Sequence, residues 1–329
     1  MTSGQITPPA VDTVATLLRE LVAAWPAGRG RLSDMARYAV LPAGKLLRPI
    51  LVLESARAVG ADPVALAPVA VALEFLHVAT LVHDDIIDGD QLRRGRPTVH
   101  ARYGKGEAIV AGDALLLGTF LAIAEGAESF PPAAVLKAVR IVAAAGLRLC
   151  DGQVTEAELT GDLDCGITRY RAMAAAKTGA LFEAACGAGA ILGGGSEAQQ
   201  AALRAYAAHL GCAFQMRDDL LPYLADDARV GKSRMSDIAN RRPTFPVLVA
   251  VELADTEQRA RLELILSGRL SPDIAHMLLG EVFTETGALT VAAERVAAEA
   301  AAARDCLHGF GARGDRLAAL ADDTIERTW

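Results

Sequence analysis

Residues 65–83, ALAPVAVALEFLHVATLVH, contain one side chain charged at neutral pH, Glu74, and run straight into the cluster HDDIID at 83–88. Apolar residues recurring every three and four positions over such a length describe a helix that must be covered on most of its surface. Asp84, Asp85 and Asp88 therefore close a buried helix rather than decorate a solvated one. His77, Leu81, Asp84 and Asp88 fall on one stripe, at i, i+4, i+7 and i+11. Like charges three and four apart repel, and no lysine or arginine lies one turn earlier to neutralise them. Clustered carboxylates in that setting want a hard divalent cation, and one or two per ion suits Mg²⁺ shared with a phosphate-bearing substrate. The LRRGRP that follows sets Arg93 and Arg94 where a metal-bound diphosphate would present its outer oxygens, and arginine's fork suits bidentate phosphate contact.

The rest of the chain repeats this grammar. Short Gly/Pro/Asp breaks separate long apolar segments, and period-two runs of β-branched or aromatic residues are scarce, with aromatics at only 5% of the sequence. The expectation is an all-α protein of about ten helices, packed as one domain over residues 1–329. RDDLLP at 217–222 echoes HDDIID, so Gln215, Asp218 and Asp219 form a second acidic helix end. Isolated cations stand in otherwise uncharged segments: Lys45 and Arg48 in AGKLLRP, Lys177 in AAAKTGALF, Lys232 in VGKSR. Lys177 has no acidic neighbour within a turn, so it either snorkels from a surface helix or faces an anion in a cavity.

Bulk properties remove several classes. A net charge of -7 argues against a general nucleic-acid binder. The five cysteines have no CxxC spacing and read as buried free thiols of a reducing compartment. No signal peptide is recognisable in the first 26 residues, and no run of eighteen uncharged apolar residues occurs, so no transmembrane segment is expected and a cytoplasmic protein is.

GKLLRP (44–49), HVATLVHDDIID (77–88), LRRGRPTVH (92–100), GDALLL (112–117), AKTGALF (176–182), FQMRDD (214–219) and GK (231–232) closely resemble the trans-isoprenyl diphosphate synthases. These polyprenyl synthetases elongate allylic diphosphates with isopentenyl diphosphate. The resemblance spans about residues 40–250 in order, and LADDTIER near the end looks like the family's last helix. It implies an all-α bundle of the isoprenoid synthase type around a deep central cavity, with two aspartate-rich motifs facing each other across its mouth. Asp84, Asp85 and Asp88 would bind Mg²⁺ bridging the allylic diphosphate, and Asp218, with Asp219 beside it, a further ion. Three Mg²⁺ ions per site are implied, with Mn²⁺ able to substitute. Arg93, Lys177 and Lys232 would hold the allylic diphosphate; Lys45, Arg48, His77 and Arg94 resemble the isopentenyl diphosphate site; Thr178 and Gln215 resemble polar groups facing the allylic cation. The primer would be dimethylallyl, geranyl or farnesyl diphosphate, and the assembly a homodimer.

One departure is plain: the second motif usually ends in a third aspartate, and here that position is Pro222. Proline removes its own donor and crowds the carbonyl of Asp218, so a kink is expected just beyond the acidic pair, with Asp226 or Asp227 as carboxylates that could reach back. Product length is set in the family by bulk one turn before the first motif. Here Ala79 and Thr80 are small, which favours twenty carbons or more over a farnesyl-length product. The next candidates for a cavity floor are Leu76, Phe75 and, from the neighbouring helix, Leu117 or Phe120. Two further readings stand beside the synthase: a terpene cyclase, which would leave Lys45, Arg48, His77 and Arg94 without purpose, and a non-catalytic partner subunit, favoured only by Pro222.

Overall fold

The computed structural model describes residues 16, 19–20, 30–126, 128, 130–224 and 236–326. Lys232, Asp226 and Asp227 lie outside the described residues. The chain is all-α. Among the described residues from Arg31 on, the α-helices are in order α1 (Arg31–Val40), α2 (Leu47–Ala58), α3 (Ala67–Asp88), α4 (Val99–Tyr103), α5 (Lys105–Gly126), α6 (Pro132–Glu158), α7 (Gly166–Ala174), α8 (Ala180–Leu192), α9 (Glu197–Leu224), α10 (Ser236–Ala239), α11 (Phe245–Leu253), α12 (Thr256–Leu266), α13 (Pro272–Thr286), α14 (Ala288–Asp305) and α15 (Asp315–Glu326). That exceeds the ten or so expected, because short pieces such as α4 and α10 are too brief to leave a periodic signal in the sequence. A five-residue π turn, Ala175–Gly179, joins α7 to α8. The only strands among the described residues are β1 (Leu92–Arg93) and β2 (Arg96–Pro97), an antiparallel pair.

The chain forms two compact units. The first comprises Met1–Gly146, Leu181–Ala205 and Cys306–Leu320; the second comprises Leu147–Ala180, Tyr206–Asp305 and Ala321–Trp329. In the first, α3 is the central element: apart from Pro68 and His77, residues 67–79 are all buried. A Cβ on Gly112 would lie 2.2 Å from His83 Nε2, and one on Gly126 would lie 2.5 Å from Pro68 Cβ. Bare backbone at both ends of α5 thus lets α3 run antiparallel against it at close range. Gly89, at φ 71, stops α3 in the left-handed conformation. The aspartate motif is therefore the last turn of a buried helix, at the negative end of its dipole, where a cation is favoured.

In the second unit, the later part of α6, the π turn and the later part of α9 carry the other candidate residues, with α11 and α14 packed together nearby. α9 continues through Pro222 to Leu224, the last residue described before 236. Pro222 thus sits inside α9, where it removes the donor that would meet the Asp218 carbonyl.

Among the described residues two helices could cross a membrane by length and composition, Pro63–Asp88 and Lys105–Gly126; the first spends most of its apolar surface in the core of its unit. All five cysteines are free thiols. Cys165, Cys186 and Cys212 are buried as expected, but Cys150 is exposed.

Candidate active site

In the first unit, Asp84 and Asp88 are half-buried one turn apart, whereas Asp85 is 3% exposed. Asp85 Oδ1 accepts from Arg93 Nε at 2.7 Å and Nη2 at 2.6 Å, a two-pronged ion pair. Burial pushes the Asp85 carboxyl up while Arg93 opposes it; burial likewise pulls on Arg93, but Asp85 keeps that guanidinium firmly charged. Among the described residues no three His, Cys, Asp or Glu side chains are drawn together tightly enough to hold an ion. The donor set nevertheless suits a divalent cation: Asp84 and Asp88 share one face at a helix C-terminus, with Asp85 turned to Arg93.

The hairpin that carries the arginines has a two-residue turn, Arg94–Gly95, with φ 52 and 73. Two positive φ values match the right-handed twist of paired strands, but one belongs to a residue with a side chain, which costs about 1 kcal/mol. The turn is held from outside. Arg96 donates to Leu41 O at 2.8 Å and stacks over the Tyr38 ring, whose hydroxyl donates to Pro97 O at 2.7 Å. Arg94 reaches back to Pro42 O at 3.2 Å, and a Cβ on Gly44 would lie 2.3 Å from its Nη2. The glycine before Lys45 is thus the seat of the Arg94 guanidinium.

Arg48, His77 and Arg94 gather around Glu74, the lone charge of the apolar run, which is 2% exposed. Burial raises the Glu74 carboxyl, opposed by Arg48 and Arg94, and lowers Arg48 to about 10, opposed by Glu74. Arg48 lies 5.2 Å from the Phe182 ring, and its buried Nε has no hydrogen-bond partner among the described residues. A buried, orphaned guanidinium donor is costly unless an anion arrives to meet it. Burial, reinforced by Arg48, Arg94 and Arg93, holds His77 well below its ordinary value of 6.5, so the ring is neutral at neutral pH. A lowered histidine contributes stability that is present above 6.5 and lost as pH falls, because the unfolded chain takes up the proton first. Between pH 7 and pH 5, His77→Gln is expected to lose less Tm than the unsubstituted protein; equal losses in a thermal melt would count against a neutral His77.

Of the floor candidates, Leu76 and Ala79 are buried and Phe120 is half-buried, while the Thr80 hydroxyl donates to His77 O at 2.8 Å. Leu117 is 67% exposed and cannot be a floor within its unit: the buried face of α5 runs through Gly112, Leu115 and Thr119, and Leu117 points away from it.

In the second unit, Lys177 does have an acidic partner, supplied from α6 rather than from its own turn. Its Nζ donates to Glu156 Oε2, which Arg242 Nη2 approaches at 3.5 Å. Arg242 also pairs with Asp237 at 3.4 Å. The π turn presenting Lys177 and Thr178 is gripped by two glycines: a Cβ on Gly152 would lie 2.4 Å from Lys177 N, and one on Gly211 would lie 2.7 Å from Gly179 Cα. Thr178 donates to Gln215 Oε1 at 2.6 Å, and Gln215 Nε2 donates to Asp219 Oδ1 at 2.9 Å. Asp219 Oδ2 accepts from Tyr170 OH at 2.8 Å and Phe245 N at 2.9 Å. Burial, with Asp237 nearby, pushes Asp219 up to about 7 against those hydrogen bonds. Both its oxygens are thus engaged, a different occupation from the metal ligation expected of it; Asp218, half-buried, is one position along.

Glu156, Tyr170, Asp237 and Arg242 were not singled out in the sequence, and Glu74 was noted only as the lone charge of an apolar run. The signals of the others were faint, a doubled arginine before Pro243 being the clearest.

These features define a helical enzyme whose two acidic helix ends are each accompanied by half-buried cations. Comparison with known proteins identifies the kind. The polyprenyl synthetase profile matches residues 29–278. A short chain isoprenyl diphosphate synthase of Methanothermobacter thermautotrophicus is 38% identical over 296 residues, 89% of each chain. A geranylgeranyl pyrophosphate synthetase from Pyrococcus horikoshii superposes with TM-score 0.87 at 34% identity over 96% of each chain. A polyprenyl synthase from Caulobacter crescentus, in complex with calcium and isoprenyl diphosphate, gives 0.87 at 29% identity over the full length of both. The chain belongs to the polyprenyl synthetase family, has the isoprenoid synthase fold, and is a trans-prenyltransferase that makes prenyl diphosphates.

Proposed function

We propose that the chain acts as one functional domain that condenses isopentenyl diphosphate head-to-tail with a dimethylallyl, geranyl or farnesyl diphosphate, giving an all-trans product of twenty carbons or more. The observation that carries this reading is the buried, unpartnered Nε of Arg48, set with His77 and Arg94 around Glu74. A second diphosphate site distinguishes a chain-elongating synthase from a cyclase, which needs only one.

Arg93 and Lys177 hold the allylic diphosphate, and Lys232, outside the described residues, joins them. Divalent cations, Mg²⁺ by preference, held by Asp84 and Asp88 and by Asp218, would supply the Lewis acidity that stabilises the leaving diphosphate. Asp85 acts on Arg93 and Asp219 on Gln215, each fixing a group that meets substrate. Thr178 and Gln215 turn their oxygens to the allylic cation, whose surroundings must otherwise be apolar and dry. The isopentenyl double bond attacks that cation, and the released diphosphate accepts the proton lost, so no side-chain base is needed. A calcium- and isoprenyl diphosphate-bound relative supports the metal and the substrate class.

The exposed stripe Ile109, Val110, Leu116, Leu117 and Leu121 on α5 supports a homodimer, since a face that apolar is rarely left in water. A cytoplasmic location suits the free thiols.

Relatives' names run from short chain to octaprenyl synthase, so the length rests on the chain's own residues. Ala79 and Thr80 leave room one turn below Asp84. Ala79→Phe is expected to shorten the product by at least one five-carbon unit, read by sizing the dephosphorylated alcohols; an unchanged product from folded protein would reject this placement of the floor.

A further inference from the structure

Among the described residues three non-glycine residues have positive φ: Leu46 (54), Arg94 (52) and Arg241 (54). Left-handed backbone at a residue with a side chain costs free energy and persists where the surroundings enforce it, most often at functional sites. The first two adjoin or belong to the cations already assigned. Arg241 does not, yet it directly precedes Arg242.

Arg241 is held on every side. Its N–H donates to Ile238 O at 3.0 Å, and its carbonyl accepts from Gly161 N at 2.8 Å. Its Nε donates to Leu266 O at 2.7 Å. Leu266 is the last residue of α12, so the guanidinium sits at a helix C-terminus, where a cation meets unpaired carbonyls and the negative dipole end. Gly161 and Gly268 form the slot: a Cβ on the first would lie 2.5 Å from Arg241 Nη2, and on the second 3.2 Å from its Cδ. The turn fixed in this way directs the next residue. Arg242 N–H donates to Asp237 O at 2.9 Å, and its guanidinium reaches Asp237 and the Glu156 oxygen that also holds Lys177.

We infer that Arg241 is a positioning residue for the allylic diphosphate site: clamped between the Gly161 turn and the end of α12, it fixes the left-handed turn that delivers Arg242 to Glu156 and so sets the position of Lys177. This rests on the assignment of Lys177 to the allylic diphosphate. Arg241 itself touches no substrate.

The test is a steady-state comparison in the full-length enzyme, with each substrate varied in turn. Glycine tolerates φ near 54, so Arg241→Gly keeps the turn accessible and removes the clamp. It is expected to raise KM for the allylic diphosphate about tenfold, with kcat and KM for isopentenyl diphosphate within about twofold. Arg241→Lys, which keeps a cation at the Leu266 carbonyl, should restore most of that loss. Gly161→Ala, which meets the guanidinium and also strains the φ 75 turn that holds the Arg241 carbonyl, disrupts the clamp with Arg241 unchanged and should reproduce the allylic KM increase. Lys177→Ala serves as the reference. If it leaves the allylic KM unchanged, the assignment of Lys177 fails and the inference with it. If Lys177→Ala raises the allylic KM while the Arg241 and Gly161 variants lower only the melting temperature, or raise both KM values alike, Arg241 is a structural residue and the inference is wrong.

Discussion

Asp84→Asn is expected to lower kcat by about 10³-fold while leaving the protein folded and KM for isopentenyl diphosphate unchanged. The asparagine keeps the shape and an oxygen of the side chain but gives up the charge that a hard cation requires. Asp84 lies on the half-buried face of the last turn of α3, so no core packing is lost. Stability is expected to hold or to rise by about 0.5 kcal/mol, since one of two like charges at i and i+4 is removed from the negative end of a helix. Lost activity without lost stability is the mark of a group retained for chemistry. Asp88→Asn should behave alike, whereas Asp85→Asn should act through Arg93, its partner at 2.6 Å, and so raise the allylic KM. Single-turnover rates alongside thermal melts would check all three; an Asp84→Asn enzyme with near-normal kcat would remove the first motif from the mechanism.

The second large effect is expected at Gly152. A methyl group there meets the Lys177 backbone at 2.4 Å and its Cα at 2.8 Å, and neither is the free end of a flexible side chain. The π turn must move by most of an ångström, carrying Lys177 and Thr178 with it. Gly152→Ala is therefore expected to cost about 2 kcal/mol of stability through overpacking, and about 10²-fold in kcat/KM for the allylic substrate through misplacement of its ligands. Gly146→Ala, on the same helix with nothing within 4 Å, is the control and should stabilise by up to about 1 kcal/mol. Equal behaviour of the two variants would mean the π turn is not braced by α6.

Which parts of this were legible in the sequence follows from how local each signal is. The aspartates of α3 could be read because an apolar run ending in like charges states its purpose within one helix. The resemblance of seven ordered motifs then assigned the cations. Glu156 could not be read as the partner of Lys177, because the two are 21 residues apart and meet only through the contact that Gly152 allows. Asp219 was read as a twin of Asp218, since adjacent carboxylates look alike in a string; helix rotation turns one of them to Tyr170 and the Phe245 amide. Leu117 was misread for the same reason as Asp219: one position along a helix is a rotation of roughly 100°.

The most direct test of the central claim is to give the purified protein isopentenyl diphosphate and each allylic primer in turn, with Mg²⁺ and again with excess chelator, and to size the dephosphorylated products. Linear prenyl alcohols of twenty carbons or more, formed with Mg²⁺ and absent with chelator, are the expected result. No elongation with any primer from folded protein, or a cyclic hydrocarbon from the primer alone, would contradict it.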